Sequence, residues 1–528
     1  MTNLSRRMTA WCVAALLAAA CAEQPNGAAG TPELRLALFD TILARVERRD
    51  AFSDVKNRTL AYDPVADMRA LRSDVAAANS QEELFYALQR LSNARRDRHL
   101  SLLLVPGGLA IPDSAGVDVW DGDDPPEPAS APVRIFPDYG DSGGFFVGDV
   151  AEGLNGPAPG DRVLSVNRMP LDAWVANVTP YIRHSSVAGL RWKSAEVLTA
   201  PGGLLPPSLR SDTLVLEVET VAGGRAEYAL PLLAAAGIRW QHVSEPVYPG
   251  LRLERSTPTW DLLVPDDDSR FLVLIWTGFR ETMVADVDTL VALAARKNWL
   301  DHALIVDVTR SRGGSLGPYA LQRLQPKPFK TTFGTLRLSD ITRPFIEAKR
   351  ADFAAQNIND GGVPETIDDG SWLMDWLEND VLAALETDAV HTTPVPFKLA
   401  HASKESDGIL QPAALHFRGP FAVISGPSGG SHLDQFNAIV KDNGLGPIVG
   451  MTAGGYSNTW EWQEILHYPG TEQPVIGFMY DIGHTIRPNG EVLEGNPAAV
   501  DEWIPLTADG IPTYYSRLLE AARQRVGR

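Results

Sequence analysis

The chain has 528 residues, 44% of them hydrophobic, and a formal net charge of −19. That length buries a sizeable core and divides into roughly two to four domains. No basic stripe exists to neutralise phosphates, which excludes a nucleic-acid partner. Ten histidines without a His-Glu-x-x-His run or a set of cysteine ligands point to no metal site, and no cofactor is expected.

Arg6 and Arg7 precede an apolar run, Met8 to Ala20, that is too short to span a membrane and reads as a secretory signal. Leu16 to Cys21 resembles a bacterial lipobox, which makes residues 1–21 a lipoprotein signal peptide and Cys21 the lipid-modified first residue of the mature chain. The expected location is the periplasmic side of the bacterial cell envelope, as an outer-membrane lipoprotein whose membrane contact is that lipid. Cys12 falls within the removed segment, so no internal disulfide is expected. Residues 22–32, rich in Gly, Ala and Pro, form a tether.

Residues 33–110 read as an N-terminal helical region. Leu34, Leu38, Ile42 and Val46 recur at helical spacing over 33–49, and Ser80 with Glu83 is a capping box that starts a second helix through Leu84, Leu88 and Leu91. A charged turn over 93–98 leads into His99, and residues 100–105 read as a strand. His99 thus sits at a helix-to-strand junction, where a side chain can reach another part of the molecule.

Residues 131–234 read as a β-rich module. Its marks are a strand over 144–150, the segment 159–167, a helix over 171–178, and strands over 213–219 and 226–230 joined as a hairpin through Gly223-Gly224. Over 266–508 the pattern alternates. Residues 271–276 are a strand, 284–297 a helix and 304–308 a buried strand, an order that makes a right-handed crossover between parallel strands and places a site at their carboxyl ends. Residues 316–414 are an insertion with little strand character. Within it, Trp372, Leu373, Trp376, Leu377 and Val381 recur at helical spacing, so that 371–385 packs over the core or forms a lid above a cleft. Residues 509–528 form a C-terminal helix.

The stretch from Pro420 to Tyr456 organises the rest. Residues 421–425 are a buried strand, the glycine cluster 426–430 breaks it, and a helix then begins. Ser431 with Asp434 approximates a capping box, and Leu433, Phe436, Ile439 and Val440 recur until Asn443-Gly444 stops the helix. Free backbone N–H groups and the positive dipole end at such a start favour a developing negative charge, as acyl transfer requires beside its nucleophile. Read alone, Ser431 is first of all an ordinary N-cap.

Ser431-His432-Leu433-Asp434, Lys441-Asp442-Asn443 and Ile448-Val449-Gly450 resemble the nucleophile segment of the C-terminal-processing (tail-specific) serine protease family. Upstream, residues 303–314 resemble that family's strand with its Asp-x-Arg-x-Asn-x-Gly-Gly run: Asp307, Gly313 and Gly314 are kept, and Thr309 and Ser311 stand where Arg and Asn are usual. Position 456 is Tyr where the Ser/Lys branch has its general base. The chain is closer to the Ser/His/Glu branch, which includes tricorn core protease and chlamydial protease-like activity factor. Thr452-Ala453-Gly454-Gly455 resembles that branch's Gly-rich segment, and Asp97-Arg98-His99 is similar to its Asp-x-His. Residues 159–167 resemble the Pro-Gly-Asp-x-Ile-x-x-Val-Asn of a PDZ module, and 488–495 followed by Val500-Asp501 resembles the stretch that carries the family's acid.

The resemblance implies a multidomain α/β fold: an N-terminal helical region carrying His99, a PDZ-like module, and a crotonase-like α/β (ββα-spiral) protease core. It implies a serine endopeptidase that cleaves extracytoplasmic proteins or peptides, which the PDZ-like module would pair with a sheet edge. Ser431 would be the nucleophile, His99 the base and Glu494 the acid, with Glu491 and Glu461 as alternative acids. The oxyanion hole would be the backbone N–H of His432 and one from Gly313 or Gly314.

Two other readings stand beside it. Residues 426–430 satisfy G-x-S-x-G between a strand and a helix, the nucleophile elbow of lipases and esterases, with Ser428 as nucleophile. Alternatively, Tyr456, Thr309 and Ser311 mark a catalytically inactive member that binds peptides. The oligomeric state is open.

Overall fold

The computed structural model describes residues 29–120, 124–141, 143–279, 282–314, 316–355, 371–396 and 405–527. The signal segment, Cys21 and most of the tether lie outside the described residues. Among the described residues, no helix is long and apolar enough to cross a membrane.

Parallel strands covered on both faces are continuous apolar runs, as Ala303–Asp307 and Phe421–Ser425 are. They lie inside a seven-stranded sheet ordered Glu502–Trp503, Ile448–Gly450, Phe421–Ser425, Ala303–Asp307, Phe271–Trp276, Trp260–Pro265, Leu251–Ser256. Neighbours among the first five pair in parallel, and the last two strands are antiparallel additions. Alternation along the strands divides the core into two layers. Leu304, Val306 and Val423 share a cluster with Val287, Leu290, Phe436 and Ile439 of the helices Met283–Arg296 and His432–Asp442. Ile305, Ala422 and Ile424 pack with Tyr514, Leu518 and Ala522 of the helix Tyr514–Arg525. Both faces are therefore closed by helices, and the carboxyl ends of the central strands feed the segments that hold Gly313 and Ser431.

Residues 131–234 build an antiparallel sheet in the order Val133–Pro137, Phe145–Ala151, Arg162–Val166, Thr213–Glu219, Arg225–Pro231. It has a core of its own around Val147, Trp174, Leu198 and Leu216. Besides the expected helix Leu171–Val178 it carries a second one, Val187–Thr199. That helix escapes periodicity because part of its buried face is Gly189, Ser194 and Ala195, which draw no apolar stripe.

The strand expected over 100–105 forms only at Leu102–Leu103, with Leu102 opposite Phe478 and Leu103 opposite Gly477 of the strand Pro474–Asp481. Leu104 already leaves the pairing to bridge Val119. Arg95 Nη1 donates to Met479 O at 2.7 Å and Ala51 N to Asp481 O at 2.7 Å along the same seam. The seam fastens the N-terminal helices to the C-terminal part of the chain and fixes where His99, just upstream, is delivered.

In the insertion, residues 371–385 are helical with a π-helical middle, Trp376–Val381. Leu373, Trp376, Leu377 and Val381 are buried, and Trp376 stacks on Trp460 with ring centroids 6.1 Å apart. This helix is packed into the core at that point.

Candidate active site

The strand Phe421–Ser425 ends in a glycine turn that presents Ser431 immediately before the helix His432–Asp442. Ser431 has φ +60° and ψ −122°, a conformation that strains any residue with a Cβ. Its side chain does not cap the helix. This overturns the capping-box reading: a cap needs an extended backbone, whereas Ser431 has a positive φ and makes no side-chain hydrogen bond to the helix start. Asp434 is used elsewhere as well, its Oδ2 accepting Gly455 N at 3.0 Å and Tyr456 N at 3.1 Å. Burial pushes the Asp434 carboxyl up to about 7. Ser431 N donates to Tyr456 O at 2.7 Å, so the segment 454–456 grips the turn from both ends.

The hydroxyl meets an imidazole from the other end of the sequence. His99 Nε2 lies 3.1 Å from Ser431 Oγ, and the ring stands edge-on to Tyr456 with centroids 5.0 Å apart. Tyr456 therefore packs against the His99 ring, with the Arg98 guanidinium 4.8 Å from the centre of its own ring. Gly430 must be glycine, since a Cβ there would lie 2.0 Å from Tyr456 Cε1.

The strand Arg312–Gly314 also brings its backbone against the serine. A Cβ on Gly313 would lie 2.7 Å from Ser431 Cβ and 3.2 Å from Oγ, an approach that only glycine allows. At the helix start, Leu433 N is used by Gly430 O and Asp434 N by Ser431 O. The His432 N–H takes no acceptor among the described residues. The His432 ring faces inward: it is buried, Nε2 accepts Gly317 N at 2.6 Å, and burial pushes the imidazole down to about 3, so it is neutral packing against Phe279.

The acids are arranged differently from the expectation. Glu494 is buried, but its Oε2 accepts Ser457 N at 2.8 Å and its Oε1 lies 3.5 Å from Lys56 Nζ; it makes no hydrogen bond to His99. Asp97 Oδ1 accepts the backbone N–H of His99 at 3.0 Å and lies 4.0 Å from Nδ1. A ring nitrogen of His99 and one oxygen from each of Asp97 and Glu494 lie within 4.8 Å of one another. The cation beside this cluster is the ammonium of Lys56, 3.5 Å from both carboxylates. Burial, with the Asp97 charge beside it, pushes Glu494 up to about 8. Burial acts on Asp97 in the same direction, but Lys56, Asp481 and His99 outweigh it and hold its carboxyl well below the usual range. Asp481 goes the other way, raised by burial and by Asp97.

Glu461 and Glu491 are exposed and engaged elsewhere, with Asn458 at 2.8 Å and Asn496 at 3.0 Å. Ser428 Oγ donates to Thr309 O at 2.5 Å, so the esterase reading finds its hydroxyl bound to a carbonyl. Residues Asp97, Lys56, Tyr456 and Asp481 complete the site without having been assigned a role from sequence. Asp97 carried a signal in its Asp-x-His run; a single Lys on a short helix carried none.

No family model and no curated protein matches the sequence. Among solved structures, the chain is similar to mature CPAF at 15% identity, with a TM-score of 0.69 over 94% of this chain and 98% of that one. It is similar to mature CPAF complexed with lactacystin at 14% identity, with a TM-score of 0.70 over 94% and 99%. The likeness runs the length of both chains, from the N-terminal helices through the central sheet, and this chain has the fold of mature CPAF.

Proposed function

We propose that the chain is a serine endopeptidase of the tail-specific family, of its Ser/His/Glu branch, cleaving extracytoplasmic proteins or peptides. The observation that carries this reading is the 3.1 Å approach of His99 Nε2 to Ser431 Oγ across 332 positions of sequence. It is supported by a fold shared with a protein solved in complex with lactacystin.

Ser431 Oγ attacks the peptide carbonyl and passes its proton to His99 Nε2, which then gives it to the leaving amine. Water, deprotonated by the same imidazole, releases the acyl group. His99 carries its resting proton on Nδ1, and the Asp97 carboxylate stabilises the imidazolium as it forms, with the buried Glu494 carboxyl beside it. The oxyanion is held by the His432 N–H and one N–H of the Gly313-Gly314 pair; loss of one such donor costs on the order of 10²- to 10³-fold in turnover. In the same reading residues 1–21 are a lipoprotein signal peptide, Cys21 carries the lipid, and 22–32 tether the enzyme to the envelope. Residues 131–234 are a PDZ-like module whose terminal strand Val133–Pro137 offers main-chain groups to a peptide, and 266–508 are a crotonase-like core.

Ser431→Ala is expected to remove both peptide hydrolysis and labelling by a serine-reactive fluorophosphonate while the melting curve is kept. Labelling that persists in Ser431→Ala discards the assignment.

A further inference from the structure

Lys56 is 2% exposed, on the helix Ser53–Leu60. Lysine is almost never buried so deeply unless it is paired, and the partners of this one all border His99. Its Nζ donates to Arg95 O at 2.9 Å and to Arg96 O at 3.0 Å, the two carbonyls directly before Asp97. The remaining proton faces Asp97 Oδ2 and Glu494 Oε1, each 3.5 Å away. Beyond the two carboxylates lies the imidazole. His99 Nδ1 and Glu494 Oε1 are both buried without a hydrogen-bond partner among the described residues.

Two buried carboxylates beside one another repel, so that Glu494, raised to about 8, takes a proton more readily while Asp97 stays ionised. The ammonium beside them offsets the charge that Asp97 keeps. Its bonds to residues 95 and 96 also tie down the loop on which His99 is carried. We propose that Lys56 is a positioning residue of this site: its ammonium clamps Asp97 to Glu494 against the imidazole and sets the charge that His99 experiences. Burial disfavours the charged amine, but Asp97, Glu494, Asp50 and Asp481 outweigh it and keep Lys56 protonated. The other charged or titratable groups packed around this cluster are Arg95, Arg98, His184, Glu196, Asp434 and Tyr456. The inference deepens the protease reading, yet its first consequence, the proton affinity of His99, does not require turnover.

The test is an NMR titration of ¹⁵N-histidine-labelled protein carrying Ser431→Ala, with and without Lys56→Met. Removing a positive charge stabilises the imidazolium, so the His99 midpoint is expected to rise by about 1 unit, and Lys56→Arg, which keeps the charge, to leave it near the parent value. Lys56→Gln keeps two N–H donors for the Arg95 and Arg96 carbonyls and serves where Lys56→Met does not fold. In protein that retains Ser431, the acid limb of kcat/KM moves to higher pH by the same amount, with the loss falling on kcat rather than KM. A folded Lys56→Met or Lys56→Gln protein with an unmoved His99 midpoint overturns the proposal. Fluorophosphonate labelling of the wild type decides the protease reading separately, so the two failures are told apart.

Discussion

Gly313→Ala probes the closest approach in the site. The added Cβ would land 2.7 Å from Ser431 Cβ, 2.8 Å from Gly430 O and 3.2 Å from Ser431 Oγ. Carbon atoms rest at about 3.5–4.0 Å, so the strand and the serine turn must part by roughly 1 Å. Neither side yields freely. Gly314 is wedged where a Cβ would meet Phe279 O at 1.8 Å, and Ser431 N is held by Tyr456 O at 2.7 Å. A displacement of ~1 Å at a nucleophile costs on the order of 10²-fold in rate, and overpacking costs about 1–3 kcal/mol of stability. Fluorophosphonate labelling kinetics beside a urea unfolding curve measure the two effects. Gly237→Ala, where an added Cβ meets nothing within 4 Å, is the control. Gly313→Ala labelled at the wild-type rate in folded protein refutes the claim that this contact sets the position of the serine.

Two further outcomes follow from the same turn. Ser431→Gly should be more stable than Ser431→Ala by about 1 kcal/mol in urea, because glycine tolerates the backbone angles that strain a Cβ; equal or lower stability counts against strain at this position. Asp434 has its carboxyl raised from 3.8 to about 7 by burial. The folded protein therefore holds that proton more tightly than the unfolded chain, and the stability it contributes is full below about pH 4 and lost as pH rises through about 7. At 1.36 kcal/mol per unit the loss is about 4 kcal/mol at most. Asp434→Asn keeps an acceptor for Gly455 N and Tyr456 N, so its melting temperature should fall less than the wild type's between about pH 5 and pH 8; parallel curves would place the proton elsewhere.

The central sheet was readable because strands buried on both faces leave nearly unbroken apolar runs, as Phe421–Ser425 and Ala303–Asp307 do. Ser431 was readable as the residue before a helix, but its unusual backbone angles were not. They come from the grip of Tyr456 O and the glycine wall at 313, both supplied by distant sequence. Glu494 could be named from its neighbours in sequence, whereas its partner could not. Lys56 sits on an eight-residue helix with little apolar pattern, and a lone lysine in such a segment is normally solvated. The short pairing at Leu102–Leu103 shows the same limit: six apolar or small residues suggested a strand, and the bridge from Leu104 to Val119 stopped it after two.

The approach of His99 to Ser431 depends on the seam between the first hundred residues and the strand Pro474–Asp481, because the imidazole next to Ser431 in sequence, that of His432, faces inward. That seam is held by buried charge as much as by apolar packing. The Arg95 guanidinium lies 4.5 Å from the centre of the Phe478 ring and donates to Met479 O, Asp50 sits 3.6 Å from it, and Lys56 joins Asp97 to Glu494 a short way along. Buried charges of this kind add little net stability over an apolar core but are costly to leave half-paired. The seven-stranded sheet needs no such device, since its strands are fixed by pairing and by two apolar faces. The charges accordingly concentrate where the His99 imidazole comes within hydrogen-bond distance of the Ser431 hydroxyl from 332 positions away.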